Sequence, residues 1–121
     1  MPKTNSSLVP GQPLTPAVFH ILLALADGDK HGYGIMKDVE HQTAGQLKLG
    51  PGTLYGTIKR LLAAGLITEV DERPDPELDD ERRRYYRLTA SGRQLAWQEN
   101  QRMARAVKAA RSKQLSSNPI E

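Results

Sequence analysis

The sequence predicts a mainly α fold with one small β-hairpin and a long C-terminal helix. Three observations carry this. Apolar residues recur at helical spacing in three separate stretches before residue 65, each bounded by turn chemistry. Two short β-prone runs, 66–70 and 84–88, flank an acidic segment that holds Pro74 and Pro76. An alanine-rich apolar stripe then runs along residues 90–114.

The first helix opens at Thr15-Pro16, a hydroxyl cap followed by a proline whose missing N–H is harmless there. Val18, Ile21, Leu22 and Leu25 give its stripe, and it ends near Asp27-Gly28; Phe19 and Leu23 widen the apolar face. That width suits either a central core helix or a helix that also meets a partner. The second helix starts near His31-Gly32 and runs to Thr43 with Tyr33, Ile35, Met36 and Val39 inward, and Ala44-Gly45 breaks it. Gln46-Leu47-Lys48-Leu49 alternates, which predicts a short strand. The third helix, 51–64, begins at Pro51 and carries Leu54, Ile58, Leu61 and Leu62 on one stripe, with Gly65 as its left-handed end. Residues 66–70 and 84–88 pair as the hairpin, and Thr89 caps the last helix. A helical trio, a strand, a hairpin and a long trailing helix make a winged helix-turn-helix. Residues 1–13 and 115–121 read as flexible tails, 14–89 as the winged helix-turn-helix domain and 90–114 as the C-terminal helix.

With 121 residues, 38% of them hydrophobic, the chain holds one modest aliphatic core that a second subunit could complete. Having no cysteine, it has no disulfides, no thiolate chemistry and no cysteine zinc sites. His20, His31 and His41 do not have metal-ligand spacing. No nucleophile triad, phosphate loop or carboxylate pair suggests catalysis, so neither an enzyme nor a cofactor is expected. The start lacks the apolar run of a signal peptide, and no stretch reaches membrane-span length. A soluble cytoplasmic protein follows as the expectation.

Charge is segregated behind the net +3. Residues 71–81 hold seven acids and Arg73, whereas residues 82–113 hold ten cations and only Glu99. On the third helix the face opposite the apolar stripe shows Thr53, Tyr55, Thr57, Lys59 and Arg60, hydroxyls and cations suited to a DNA groove. A solvated polar face is the plainer alternative, and Tyr55 could instead pack its ring. Arg82, Arg83 and Arg84, with Tyr85, stand at the base of the wing, where arginines reach phosphates or a narrow minor groove. The acidic run beside them would be repelled by DNA. Either the wing tip points away, which we favour, or its carboxylates pair with these arginines until DNA displaces them. On the last helix Leu95, Met103, Ala106, Val107 and Ala110 form a small-residue face fit for close dimer packing. Trp97 lies on its flank and is expected to pack against the wing domain.

Leu23-Ala24-Leu25-Ala26-Asp27-Gly28-Asp29-Lys30-His31-Gly32-Tyr33-Gly34-Ile35, Gly52-Thr53-Leu54-Tyr55, Arg60-Leu61, Gly65-Leu66-Ile67 and Arg83-Arg84-Tyr85-Tyr86-Arg87-Leu88-Thr89-Ala90-Ser91-Gly92 occur in that order. In these motifs the chain resembles the PadR family of bacterial transcriptional regulators over about residues 14–112. The resemblance implies a homodimeric winged-helix repressor acting on its own promoter or a neighbouring gene, of the short-tailed branch with one dimerisation helix. Two features depart from the pattern. Gly56 stands where most relatives have proline, either to let the backbone approach a phosphate or by simple tolerance. The ligand-stacking tryptophan of drug-sensing relatives falls near Met103, so Trp97 does not inherit that role.

The expected function is sequence-specific binding of a pseudo-palindromic operator in double-stranded DNA by a homodimer, with release by an apolar or aromatic small molecule. A winged-helix protein-interaction module without specific DNA binding is the competing class. A regulator without an effector, governed by its own abundance, is a third.

Overall fold

The computed structural model describes residue 8 and residues 11–70 and 84–120. Helix α1 (Pro16–Ala24) is capped by Thr15, whose hydroxyl accepts from the Val18 N–H, and Pro16 occupies its first turn. Strand β1 (Lys30–His31) leads into α2 (Gly32–Gln42), where the His31 imidazole accepts from the Gly34 N–H at 3.1 Å. Helix α3 (Pro51–Ala63) follows, then β2 (Ile67–Val70), β3 (Tyr85–Leu88) and α4 (Ala90–Ser112), which Thr89 caps. The sheet is antiparallel in the order β1-β3-β2, with Lys30 opposite Tyr86 and Ile67 opposite Leu88. This is a winged helix-turn-helix with a long trailing helix.

One core holds the head together. Val18, Ile21 and Leu22 of α1, Ile35 and Val39 of α2, and Leu54, Ile58 and Leu61 of α3 are buried against Ile67, Tyr86 and Leu88 of the sheet. Three helices thus pool one apolar stripe each, and the sheet covers an open side of the cluster. Gly65 ends α3 at φ 74°, where the Leu66 N–H reaches back to the Leu61 carbonyl.

Helix α4 is fastened to this head along its first three turns. The Thr89 N–H donates to the Leu66 carbonyl and its hydroxyl to that of Gly65, at 3.1 and 2.7 Å. Arg93 donates to the Ala26 carbonyl. Glu99, only 6% exposed, accepts from the Leu14 N–H at 3.2 Å and from Arg102 at 3.3 Å. Nothing in the spacing of charges marks Glu99 as buried, since it reads as the one acid on a basic helix.

Several expectations change. Residues 46–49 form no strand: the Gln46 and Leu47 N–H groups turn back onto Thr43, and Leu49 enters the core as extended chain. The third strand is Lys30–His31 instead, two residues too short to show alternation. Helix α1 stops at Ala24, a turn earlier than predicted. Tyr33 is not inward but 55% exposed, because the core side of α2 is filled by Ile35 and Val39. Trp97 is likewise half-exposed, on the wall of an open groove with Leu66, Leu95 and Arg105. Among the described residues no helix is long and apolar enough to cross a membrane, and no three metal-ligating side chains converge.

Candidate nucleic-acid interface

Helix α3 is mounted by its buried stripe, so its outward face is set by what remains. Thr53, Tyr55, Lys59 and Arg60 are exposed. Thr57 is not. It is 1% exposed, one turn beyond Leu54 on the same stripe, and its hydroxyl donates to the Thr53 carbonyl at 2.7 Å. The spacing from Leu54 contained this signal; the hydroxyl masked it. Thr57 still bears on the face, because the Arg60 guanidinium donates to its oxygen at 3.3 Å.

Tyr55 is half-exposed, and its phenol lies directly over Gly32 at the start of α2, where any Cβ would overlap the ring. Gly32 is therefore a spacer that lets α2 and α3 approach. Tyr86 of β3 lies within electrostatic reach of Tyr55, Glu69 and Arg84; burial, then the Glu69 charge, raises the pKa of its phenol. The outer face of α3 and the base of the wing thus adjoin.

Arg84 is exposed and pairs with Glu69 at 3.5 Å, a surface contact worth about 0–1 kcal/mol that a phosphate can displace. Tyr85, expected to reach DNA, is instead buried: β1 pairs alongside it, and the His31 imidazole meets its ring edge-on at 5.3 Å. Arg82, Arg83 and the acidic run 71–81 lie outside the described residues.

Acids near the start of α2 are neutralised locally. Lys30 bonds Asp27 and the Ala24 carbonyl and reaches Asp38 at 3.3 Å. Burial disfavours its ammonium, but the two carboxylates outweigh that and raise its pKa. The same hydrogen bond from Lys30 lowers the pKa of Asp27. Asp29 takes a two-pronged bond from Arg87 at 2.8 and 3.1 Å.

Of the expected dimer face, Leu95 packs against the core of its own head. Met103, Ala106 and Val107 are exposed, and Ala110 is partly so.

Comparison with known proteins matches this framework. The chain is 42% identical over 85 residues to an uncharacterised 37.1 kDa protein of transposon TN4556 from Streptomyces fradiae, which covers 70% of this chain and 22% of that protein. It is 35% identical over 74 residues to the transcriptional regulator Rv3488 of Mycobacterium tuberculosis, covering 61% of this chain and 63% of the relative. The chain thus spans less than two thirds of either relative. Among solved structures, a PadR family transcription regulator from Clostridium difficile superposes with a TM-score of 0.66 at 25% identity, covering 81% of this chain and 97% of the other. Bacillus subtilis PadR in complex with operator DNA gives 0.55 at 25% identity, over 67% and 44%. Bordetella bronchiseptica BpsR, whose DNA binding is regulated by 6-hydroxynicotinic acid, gives 0.60 at 27% identity, over 93% and 69%. The model of the transcriptional regulator PadR-like family matches residues 21–98, from within α1 to the middle of α4. Its members are transcriptional regulators rather than enzymes. With more than half of its length matched, and with the family's fold, this chain belongs to the PadR-like family of transcriptional regulators.

Proposed function

We propose that the protein is a cytoplasmic, sequence-specific DNA-binding repressor that acts as a homodimer. The observation that carries this is α3: a helix anchored by Leu54, Ile58 and Leu61 that presents Thr53, Tyr55, Lys59 and Arg60 outward, beside a wing base ending in Arg84. Hydroxyls and a guanidinium on one helix face read base edges in a major groove, and the cations contact phosphates. The operator complex of the Bacillus subtilis relative supports the same use of this fold.

Two copies joined through the outer half of α4 would place two such helices on successive major grooves of a pseudo-palindromic site. Met103 and Val107 expose apolar surface there, and Ala106 and Ala110 permit close approach of a second helix. Release by an apolar or aromatic effector finds support in the BpsR relative and in the open groove beside Trp97.

Fluorescence anisotropy against the DNA upstream of the protein's own gene, at two salt concentrations and with unrelated competitor, tests the reading. Preference for the upstream duplex and a several-fold loss in Arg60→Ala are expected. Binding without sequence preference would favour the interaction-module alternative, and unchanged affinity in Arg60→Ala would refute the chosen face.

A further inference from the structure

We propose that Leu8 and residues 11–14 form a strap, clasped to α4 by Glu99 and Arg102, that serves as a movable wall of the groove beside Trp97. A flat aromatic ligand in that groove and the closed strap then stabilise each other. This rests on the reading above that the groove takes such a ligand, and it adds the part of the chain that closes on it.

The clasp is made by two side chains one turn apart on α4. Glu99 is buried, and its Oε1 accepts from the Leu14 N–H at 3.2 Å and from Arg102 Nε at 3.3 Å. Nη2 of the same guanidinium donates to the Gly11 carbonyl at 3.2 Å. One carboxylate and one guanidinium thus hold two backbone groups of the segment that precedes α1. Gly11 has φ 82°, a left-handed backbone that strains any residue with a side chain. Leu8 packs against the edge of the head core.

Between these anchors the segment is lightly attached. Gly11, Gln12 and Pro13 are exposed. Opening the strap gives up the two backbone tethers and the Leu8 contact, and it leaves the three-helix core in place. Segments with so few buried contacts open at low free-energy cost, separately from global unfolding.

Leu8 and Gly11 line the same groove as Leu66, Leu95 and Trp97. The indole is half-exposed there, an open aromatic face suited to stacking, and the three leucines make the rest of an apolar lining. With the strap closed the groove still offers about 970 Å³, whereas small-molecule sites span about 300–1,000 Å³. The strap therefore leaves room for a ligand instead of taking its place. It is a wall and not a plug. A ligand that touches Leu8 loses that contact when the strap opens, so binding and closure are coupled, by the same factor from either side.

The test uses the full chain with anilinonaphthalene sulfonate as the aromatic probe. Trp97 is the sequence's single tryptophan, so its emission follows the groove, and hydrogen exchange at the Leu14 amide follows the clasp. Saturating probe should slow Leu14 exchange several-fold. Leu8→Ser and Gly11→Ala should each weaken probe binding several-fold. Gly11→Ala acts through its backbone alone, since the added Cβ meets no atom within 4 Å. Thermal melting checks that each variant folds. Faster Leu14 exchange with probe, or tighter binding in Leu8→Ser, makes the strap a competitor and overturns the proposal. Unchanged exchange and unchanged affinity in both variants, where the wild type binds, overturns the strap alone. A wild type whose Trp97 emission ignores the probe overturns the strap together with the groove reading beneath it.

Discussion

Two helical glycines should respond to alanine with opposite signs. Gly92 sits in the first turn of α4, where a Cβ would overlap the backbone carbonyl of Leu66 and press on the Leu88 side chain. That carbonyl is not free to move, because it accepts from the Thr89 N–H at 3.1 Å while the neighbouring Gly65 carbonyl takes the Thr89 hydroxyl at 2.7 Å. Relief requires lifting the start of α4 off the α3–β2 corner. The two bonds together contribute about 2 kcal/mol, and overpacking strain of this kind costs about 1–3 kcal/mol. Alanine returns about 1 kcal/mol of helix propensity. The net expectation for Gly92→Ala is a loss of about 2–4 kcal/mol. Gly56, in the middle of α3, has open space where a Cβ would stand, with no atom within 4 Å, so alanine there should stabilise by about 0.5–1 kcal/mol.

Urea unfolding at fixed chain concentration reads both, since the stability of the proposed dimer would depend on concentration. With slopes of about 1–3 kcal/mol per molar urea, the midpoint of Gly92→Ala should fall by about 1–2 M and that of Gly56→Ala should rise by a few tenths. A Gly92→Ala chain as stable as the wild type would refute the close approach of α4 to the Leu66 carbonyl. The same Gly56→Ala chain decides between the two readings of that glycine: retained DNA affinity means simple tolerance, and a large loss means that the backbone itself approaches a phosphate.

Other substitutions probe the site and its support. Thr57→Val should leave stability within about 1 kcal/mol, since it removes one hydroxyl without changing volume, yet reduce DNA affinity because Arg60 loses its tether; equal affinity in Val and Ser variants by anisotropy would remove that role. Met103→Glu with Val107→Glu should yield monomers in sedimentation, and a surviving dimer would refute the α4 interface. Glu99→Ala should destabilise by about 1–3 kcal/mol by orphaning the buried Leu14 N–H, with Glu99→Gln much milder in urea melts. Burial holds the pKa of His20 below the ordinary 6.5, and Gln42 donates to its ring at 3.1 Å. The unfolded chain therefore binds that proton first, so stability is full above about pH 6.5 and falls as pH drops through it. His20→Gln should flatten part of that fall, and identical pH profiles would refute it.

The helices were legible because each is written twice, in its stripe and in its ends. Thr15-Pro16, Pro51 and Thr89 mark starts that the backbone uses, and Gly65 marks a stop. What sequence spacing could not supply was pairing. Lys30–His31 becomes a strand only because β3 lies beside it, and residues 46–49 alternate but find no neighbour. Polarity misled at individual positions for a related reason. The Thr57 hydroxyl is satisfied within its own helix and so tolerates burial, and Tyr33 is apolar enough for a core yet stands outside it on His31. Tyr85 is buried, and Leu95 partly covered, by elements distant in sequence, β1 and the head core, which local pattern does not reveal.

The fastening of α4 limits where an effector could act. Thr89, Arg93 and Glu99 bond the first half of the helix to three separate parts of the head: the α3–β2 corner, the end of α1 and the residue before its cap. The angle between α4 and α3 is therefore a property of one protomer, and changing it would break several hydrogen bonds together. Beyond Arg102 the helix is exposed to Ser112, apart from a partly covered Ala110. In the proposed dimer, a ligand that alters the separation of the two α3 helices would do so at least expense by shifting how the outer halves of α4 meet, because each head would then stay whole. It must still favour one separation over the other by differential binding. The groove beside Trp97 runs from Leu66 and Leu95, on the fastened half of α4, to Arg105 beyond it. A ligand seated only at its Leu66 end would have to work against the Thr89 and Glu99 bonds, whereas one seated at its Arg105 end would not.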